Sequence, residues 1–280
     1  MKVAVAGAGV MGAGIALSSI QAGYQTLLFD VSETALEKGK AYIRKELEKS
    51  VEKGKTTTDK ASQTLTLLTA VNKTADMKAD IIIEAVLENL EIKQELFKQL
   101  ETVNSPETIL ATNTSSIPIT QIARSLQYPN RVVGVHFFNP AHIMKLVEII
   151  SGAETDCNVA RKAFEWAEAL GKKAVYAADA PGFIVNRVAR HYYVEGLKIL
   201  EEQVATLESI DRLCEASGFK MGPFRLMDLI GVDTNYSVTS SMFSLFGNDA
   251  KFRPSRIQKQ KVDAGHHGRK SGQGFYRYED

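Results

Sequence analysis

The chain has 280 residues, 44% of them apolar and 24% charged, which suits a globular enzyme with two domains, or one large domain and an appendage. Its formal net charge of +1 gives no reason to expect nucleic acid as a partner. The two cysteines, Cys157 and Cys214, lie far apart without metal-ligand spacing, which argues against a disulfide framework or a zinc site and fits a reducing compartment.

Met1–Ala6 lacks a basic stretch followed by a long apolar one and a cleavage site, so no secretion signal is expected. No apolar run approaches the roughly 18 residues a membrane span needs. A soluble, cytoplasmic protein with no membrane contact is the expectation. Lys2–Ala6 reads as a strand, Gly12–Ala22 as a helix closed by Gly23, and Gln25–Asp30 as a second strand. Ser32 is placed to cap a long, Glu- and Lys-rich helix that ends near Gly54. Ile81–Glu84 reads as a buried strand, and Asn89–Val103 as a helix with Ile92, Leu96, Leu100 and Val103 on one face. Ile109–Thr112 and Val132–Phe137 are further strands, separated by a helix starting near Pro118. Lys145–Ile150 alternates polar and apolar, the pattern of a half-exposed strand. Asp156–Leu170 is a helix ended by Gly171, and Ala174–Tyr176 a last short strand.

Strand and helix alternating in this way give a Rossmann-type α/β domain, a doubly wound and mostly parallel sheet. The alternation stops at Asp179-Ala180-Pro181-Gly182, so the domains are expected to be 1–180 and an all-helical 181–280. In the latter, Phe183–Gln203, Leu207–Ser217 and Pro223–Ser240 read as helices, followed by a looser Gly- and Arg-rich tail.

Gly7-Ala8-Gly9-Val10-Met11-Gly12 is a GxGxxG sequence that follows a strand and opens a helix, the context a dinucleotide site requires. Gly7 permits the tight turn, Gly9 lets backbone approach a pyrophosphate, and Gly12 lets helix and strand pack closely. The helix start offers free N–H groups and a positive dipole end to the phosphates. Asp30, about 18 residues after Gly12, stands where a carboxylate holds the adenine-ribose hydroxyls. It also disfavours a ribose 2′-phosphate: at an effective dielectric of ~40, a like-charge pair at ~4 Å costs about 2 kcal/mol. No arginine follows Asp30, so NAD is expected rather than NADP. A structural turn, or a flavin or methyl-donor site on the same fold, are the alternatives at this point.

Three segments are unusually polar for their positions: Thr112–Ser116 after a strand, Val135–Pro140 where a histidine and an asparagine end another, and Pro181–Arg187 where a helix begins. Ligands of open parallel sheets bind at the carboxyl ends of the strands. These motifs make the chain resemble the 3-hydroxyacyl-CoA dehydrogenases along essentially its whole length, most of all the compact bacterial 3-hydroxybutyryl-CoA enzymes. The resemblance is carried by GAGVMGAGIA from Gly7, EAVLENLEIKQELF from Glu84, NTSSIPIT from Asn113, HFFNPAHIMKLVEII from His136, DAPGFIVNR from Asp179, MGPFRLMDLIGVD from Met221 and GRKSGQGFYRY from Gly268.

The resemblance implies oxidation of the 3-hydroxyl of a short (S)-3-hydroxyacyl-CoA by NAD. His136 is then the general base, Glu148 its hydrogen-bonded partner, and Ser115 and Asn186 donors to the substrate oxygen. Glu88, Lys93, Asn113, Ser115, Asn139 and Lys270 match family positions near the cofactor. His142 and His191 are expected to be non-catalytic, and His266 and His267 to bind no metal. Lys49, Lys53 and Lys55 are candidates for the coenzyme A phosphates. The helical domain carries Tyr192, Tyr193, Leu197, Leu226, Leu229, Ile230, Met242, Phe243 and Phe246, and the resemblance implies a homodimer formed through it. Two other functions remain open at this point, a dehydrogenase of a free 3-hydroxy acid of the carnitine or gulonate type and a non-catalytic NAD-binding protein. The HFFNP run argues against the first, and intact Ser115, His136, Glu148 and Asn186 against the second.

Overall fold

The structure is a computed structural model and describes residues 1–278. It divides into two compact units, one from Met1 to Phe183 and one beginning at Ile184. The first runs β1 (Lys2–Ala6), α1 (Val10–Gln21), β2 (Gln25–Phe29), α2 (Glu33–Glu52), α3 (Thr58–Leu65), β3 (Leu68–Val71), β4 (Ile81–Glu84), α4 (Leu90–Val103), β5 (Ile109–Thr112), α5 (Ile119–Ala123), β6 (Val132–Phe137), β7 (Leu146–Ser151), α6 (Cys157–Ala169) and β8 (Lys173–Ala178). The strands form one sheet in the order β3-β2-β1-β4-β5-β6-β7-β8. Every neighbouring pair is parallel except β6 and β7. The chain moves outward from β1 to β3 and then crosses to β4, so strand order reverses between β1 and β4 and leaves a crevice at their carboxyl ends.

Alternate residues of each strand feed two different cores, as the pleat requires. Val3, Val5, Ile81 and Ile83 pack with Ile15 and Leu17 of α1 and Trp166 of α6. Ala4, Ala6, Ile82 and Leu110 meet Phe97 and Leu100 of α4 and Ile122 of α5 on the other face. Helices therefore cover both sides, and the central strands are apolar on both, as expected of parallel strands.

The second unit contains α7 (Val185–Glu201), α8 (Leu207–Ala216), α9 (Pro223–Ile230), α10 (Val232–Leu245) and α11 (Arg256–Asp263). Its core is built from Tyr193, Leu197, Ile210, Phe224, Met227, Val232 and Phe275. The buried carboxylate of Asp228 accepts the backbone N–H groups of Phe275 and Tyr276 at 2.8 and 2.9 Å, pinning the Gly-rich tail to α9. Among the described residues, no helix is long and apolar enough to cross a membrane.

Several elements differ from their sequence reading. The glycine-rich turn is shorter than expected, so α1 starts at Val10 rather than Gly12. α3 and β3 were not anticipated: the helix is mostly polar and the strand, at the sheet edge, is partly exposed. The buried face of α4 is Lys93, Leu96, Phe97 and Leu100, while Ile92 faces outward. β7 is not half-exposed: its four central residues are buried, and Glu148 among them meets His136 inside the protein. The helix expected over Pro223–Ser240 breaks at Gly231, whose φ of +106° lies outside the helical region. The tail contains α11, capped by the Ser255 hydroxyl.

Phe97 is fully buried and anchors α4 to the sheet. Phe97→Ala is expected to lower unfolding free energy by about 3–5 kcal/mol. Urea denaturation of the two proteins reads this directly, and a loss under about 1 kcal/mol would show that α4 is held elsewhere.

Candidate active site

The glycine turn sits at the carboxyl end of β1, beside the crevice. Gly7 has φ +105°, and a Cβ there would come within 2.5 Å of the Ala85 carbonyl oxygen. A Cβ on Gly12 would lie 1.8 Å from the Gly7 carbonyl oxygen, so α1 can start here only without one. A Cβ on Gly9 would meet nothing within 4 Å, which means that this position opens onto space rather than packing. Gly9 also caps α1 with no side-chain acceptor, leaving the amides of Val10, Met11 and Gly12 to whatever binds there. Asp30 follows β2 and accepts the Ala8 N–H through Oδ2 and the Ser32 N–H through Oδ1, both at 2.9 Å. Each oxygen keeps a lone pair for a further donor. An unblocked helix start beside a carboxylate fits the pyrophosphate and ribose diol of NAD.

A second cluster lies where the sheet changes direction. His136 and Glu148 are register partners in the antiparallel β6–β7 pair. Val135, Phe137, Val147 and Ile149 all belong to one core, so the pleat turns His136 and Glu148 to the opposite face. His136 Nδ1 lies 2.7 Å from Glu148 Oε2, with Glu148 fully buried and His136 only 5% exposed. A carboxylate can only accept, so Nδ1 carries the proton and Nε2 is left as the basic nitrogen. The imidazole is walled by Phe138 and Phe183, with ring centroids at 4.5 and 5.7 Å. Phe183 holds φ +49°, in the left-handed region that a side chain rarely adopts. Both aromatic neighbours escaped the sequence reading as parts of the site, although each stands in a quoted motif. The β6–β7 connection is held by Lys172, whose ammonium donates to the carbonyls of Ala141 and Met144 at 2.6 and 3.0 Å.

Asn113 joins the β5 end to this cluster, since its Oδ1 accepts the Phe137 N–H at 2.8 Å. Close approach is permitted by Gly134, where a Cβ would lie 2.7 Å from Ile119 Cδ1. The loop carrying Ser115 therefore runs over β6 on the face that bears His136. Glu88 receives that loop: its Oε1 accepts the Thr114 hydroxyl at 2.6 Å, the Ser115 N–H at 2.9 Å and the Ser116 N–H at 3.1 Å. Its Oε2 lies 3.2 Å from the ammonium of Lys93. Burial tends to raise the Glu88 pKa, but the Lys93 charge and these donors outweigh it and hold the carboxyl below its ordinary 4.5. Lys93 itself is buried between Glu88 and Glu84, so its ammonium acts through those carboxylates.

The remaining candidates are placed as follows. Asn139 is exposed and begins a cis peptide to Pro140. Asn186 is half-buried in the first turn of α7, in the second unit. Lys270 pairs with Asp233 at 2.7 Å within that unit. Lys49 is tied to Glu46 at 2.6 Å, whereas Lys53 and Lys55 are exposed at the end of α2. His142 Nδ1 lies 3.3 Å from the Tyr42 hydroxyl, with Glu46 at 3.3 Å from Nε2, and burial pushes its pKa down against the pull of that carboxylate. His191 stacks on Phe252. His266 is half-buried, and His267 Nδ1 lies 3.9 Å from Asp233. Among the described residues, no group of three or more His, Cys, Asp or Glu side chains is placed to hold a metal ion.

Comparison with known proteins identifies the family of both units. The family described as 3-hydroxyacyl-CoA dehydrogenase, NAD binding domain, matches residues 2–180, and its C-terminal domain matches residues 182–278. The chain belongs to the 3-hydroxyacyl-CoA dehydrogenase family. Within the family it is 48% identical to 3-hydroxyadipyl-CoA dehydrogenase of Escherichia coli, over 98% of this chain but only 58% of that longer protein. It is 41% identical to a probable 3-hydroxybutyryl-CoA dehydrogenase of Bacillus subtilis, over 100% of this chain and 98% of the relative. The crystal structure of (S)-3-hydroxybutyryl-CoA dehydrogenase from Ralstonia eutropha superposes with a TM-score of 0.95 at 34% identity, covering 100% and 99% of the two chains.

Because the carboxyl of Glu88 titrates below its ordinary value, its contribution to stability is complete above about pH 4.5 and is lost as pH falls through the lower folded value. The stability difference between the native chain and Glu88→Gln is therefore expected to stay constant from pH 7 to about 5 and to shrink below that. Urea midpoints across this range measure it. A difference that stays constant down to pH 3 would mean that the Glu88 charge is not what the loop depends on.

Proposed function

We propose that this chain catalyses reversible, NAD-dependent oxidation of (S)-3-hydroxyacyl-CoA to 3-oxoacyl-CoA, with 3-hydroxybutyryl-CoA as the favoured short-chain substrate. The observation that carries the reading is the buried His136–Glu148 pair, set in a chain whose glycine turn is open at Gly9. NAD, held at the glycine turn and Asp30, would supply the acceptor for the hydride of substrate carbon 3. His136 Nε2 accepts the proton of the 3-hydroxyl as that charge leaves. Glu148 holds the imidazole in the required tautomer and stabilises the imidazolium without taking the proton itself. Phe138 and Phe183 keep water from the ring, which strengthens each electrostatic contact around it.

Ser115 and Asn186 are assigned as donors to the substrate oxygen, where dipoles follow the developing charge. Gly7, Gly9, Val10, Met11 and Gly12 receive the pyrophosphate and Asp30 the adenine ribose. Glu88, Asn113, Asn139 and Lys270 are assigned to the cofactor side, with Lys93 contributing through Glu88. Lys49, Lys53 and Lys55 are candidates for the coenzyme A phosphates; the Glu46 pairing makes Lys49 the least available of the three. A homodimer through the helical unit is supported by Leu213, Leu229 and Ile230, exposed by 69%, 50% and 43%. A cytoplasmic location and a place in fatty-acid or butyrate metabolism belong to the same proposal; the two free cysteines suit a reducing compartment.

Oxidation of NADH by acetoacetyl-CoA tests the reaction, with longer 3-oxoacyl-CoA esters, free acetoacetate and NADPH in parallel. Turnover with free acetoacetate equal to that with the thioester would overturn the coenzyme A assignment, and background rates would overturn the enzyme. His136→Gln is expected to lower turnover at least ~10²-fold with little change in NADH affinity. Lost NADH binding with unchanged turnover would contradict the base assignment. Asp30→Ala is expected to weaken NAD and narrow the preference over NADP; unchanged cofactor ratios would remove Asp30 from the ribose site.

A further inference from the structure

Glu84 ends β4, after three isoleucines, and is fully buried. An apolar residue would fit that place more cheaply than a carboxylate stripped of water. The carboxyl is instead met by three donors. Glu84 Oε1 accepts the Lys93 ammonium at 2.7 Å and the Val86 N–H at 2.8 Å, and Oε2 accepts the Thr112 hydroxyl at 2.7 Å. The Thr112 oxygen accepts the Thr114 N–H at 3.2 Å. The Thr114 hydroxyl donates to Glu88, and Glu88 returns to Lys93. These contacts close a ring through Glu84, Thr112, Thr114, Glu88 and Lys93. The Thr114 oxygen also accepts the Ile117 N–H at 2.9 Å, so the whole Thr114–Ile117 turn hangs on the ring. Ser115 is inside that turn, its hydroxyl 3.4 Å from Glu88 Oε1 and its amide already committed to the same oxygen.

The geometry assigns Glu84, Thr112 and Thr114 as positioning residues for Ser115: the ring fixes the turn so that the serine hydroxyl is presented in one orientation before substrate arrives. The assignment rests on the substrate role proposed above for Ser115. Glu84 and Thr112 stand at the ends of two adjacent parallel strands, where they are register partners, so the ring is anchored in the sheet itself. Thr114 is the link between that anchor and the turn. A hydroxyl is needed there because one oxygen must donate to Glu88 and accept from Ile117 together.

Thr114→Val and Thr114→Ser separate the ring from mere packing, since valine keeps the shape and serine keeps the hydroxyl. With acetoacetyl-CoA and NADH, Thr114→Val is expected to lose about ten-fold or more in kcat, with NADH affinity within about three-fold, and Thr114→Ser to recover most of the rate. Combined with Ser115→Ala, Thr114→Val should add less than about two-fold, because its effect passes through the serine. Additive losses, or a serine variant as slow as the valine one, would overturn the assignment. Hydrogen exchange at the Ser115 and Ser116 amides reads the turn without any turnover. It is expected to quicken about ten-fold in Thr114→Val and to stay near the native rate in Thr114→Ser. If the native chain fails to reduce acetoacetyl-CoA, the proposed reaction falls; unchanged amide exchange in the valine variant overturns the ring whatever the chain catalyses.

Discussion

A carboxylate with no exposed surface and an imidazole 2.7 Å away set the terms for the rest of this molecule. Placing Glu148 inside the sheet is costly unless partners meet it there. The surrounding architecture supplies that meeting through one antiparallel pairing in an otherwise parallel sheet. Because β6 and β7 run in opposite directions, the carboxyl end of one faces the amino end of the other. A histidine at the carboxyl end of β6 can then be steadied by a residue on the neighbouring strand. In a parallel pair the equivalent neighbour would arrive only after a long crossover.

The site has two centres with different physical demands. The glycine turn works by omission: Gly7 and Gly12 admit backbone contacts that a Cβ would forbid, and Gly9 leaves the start of α1 uncovered. The region around His136 works by enclosure, with aromatic rings, a buried acid and a loop strapped down by Lys172. Asn113 links the β5 end to the strand carrying the histidine, which ties the start of the Ser115 loop to β6. Glu88 sits between these tasks, exposed enough to face solvent yet tied down by donors from the turn.

Much of this was legible in the residues. Periodicity and end signals located most strands of the sheet, and the glycine turn, Asp30, His136 and Glu148 all lay in recognisable motifs. The failures have physical causes. Edge strand β3 and helix α3 carry too little apolar pattern to stand out before tertiary contacts exist. On α4, helical spacing put Ile92 inward, yet Lys93 is the buried residue because two carboxylates wait for its ammonium. Alternation along β7 suggested exposure at Glu148, since periodicity cannot tell a solvated acid from one paired across a strand. Nor could it show that Glu84, Thr112 and Thr114 close a ring, for that depends on strand register.

The short connection between β6 and β7 has a consequence for how this molecule comes apart. His136 and Glu148 lie twelve positions apart in the chain and share one hairpin, so their pairing is local in sequence. Slippage of one strand of the hairpin by a single residue would turn that strand's member of the pair towards the opposite core and part the couple. Register in this one hairpin therefore decides whether imidazole and carboxylate meet at all.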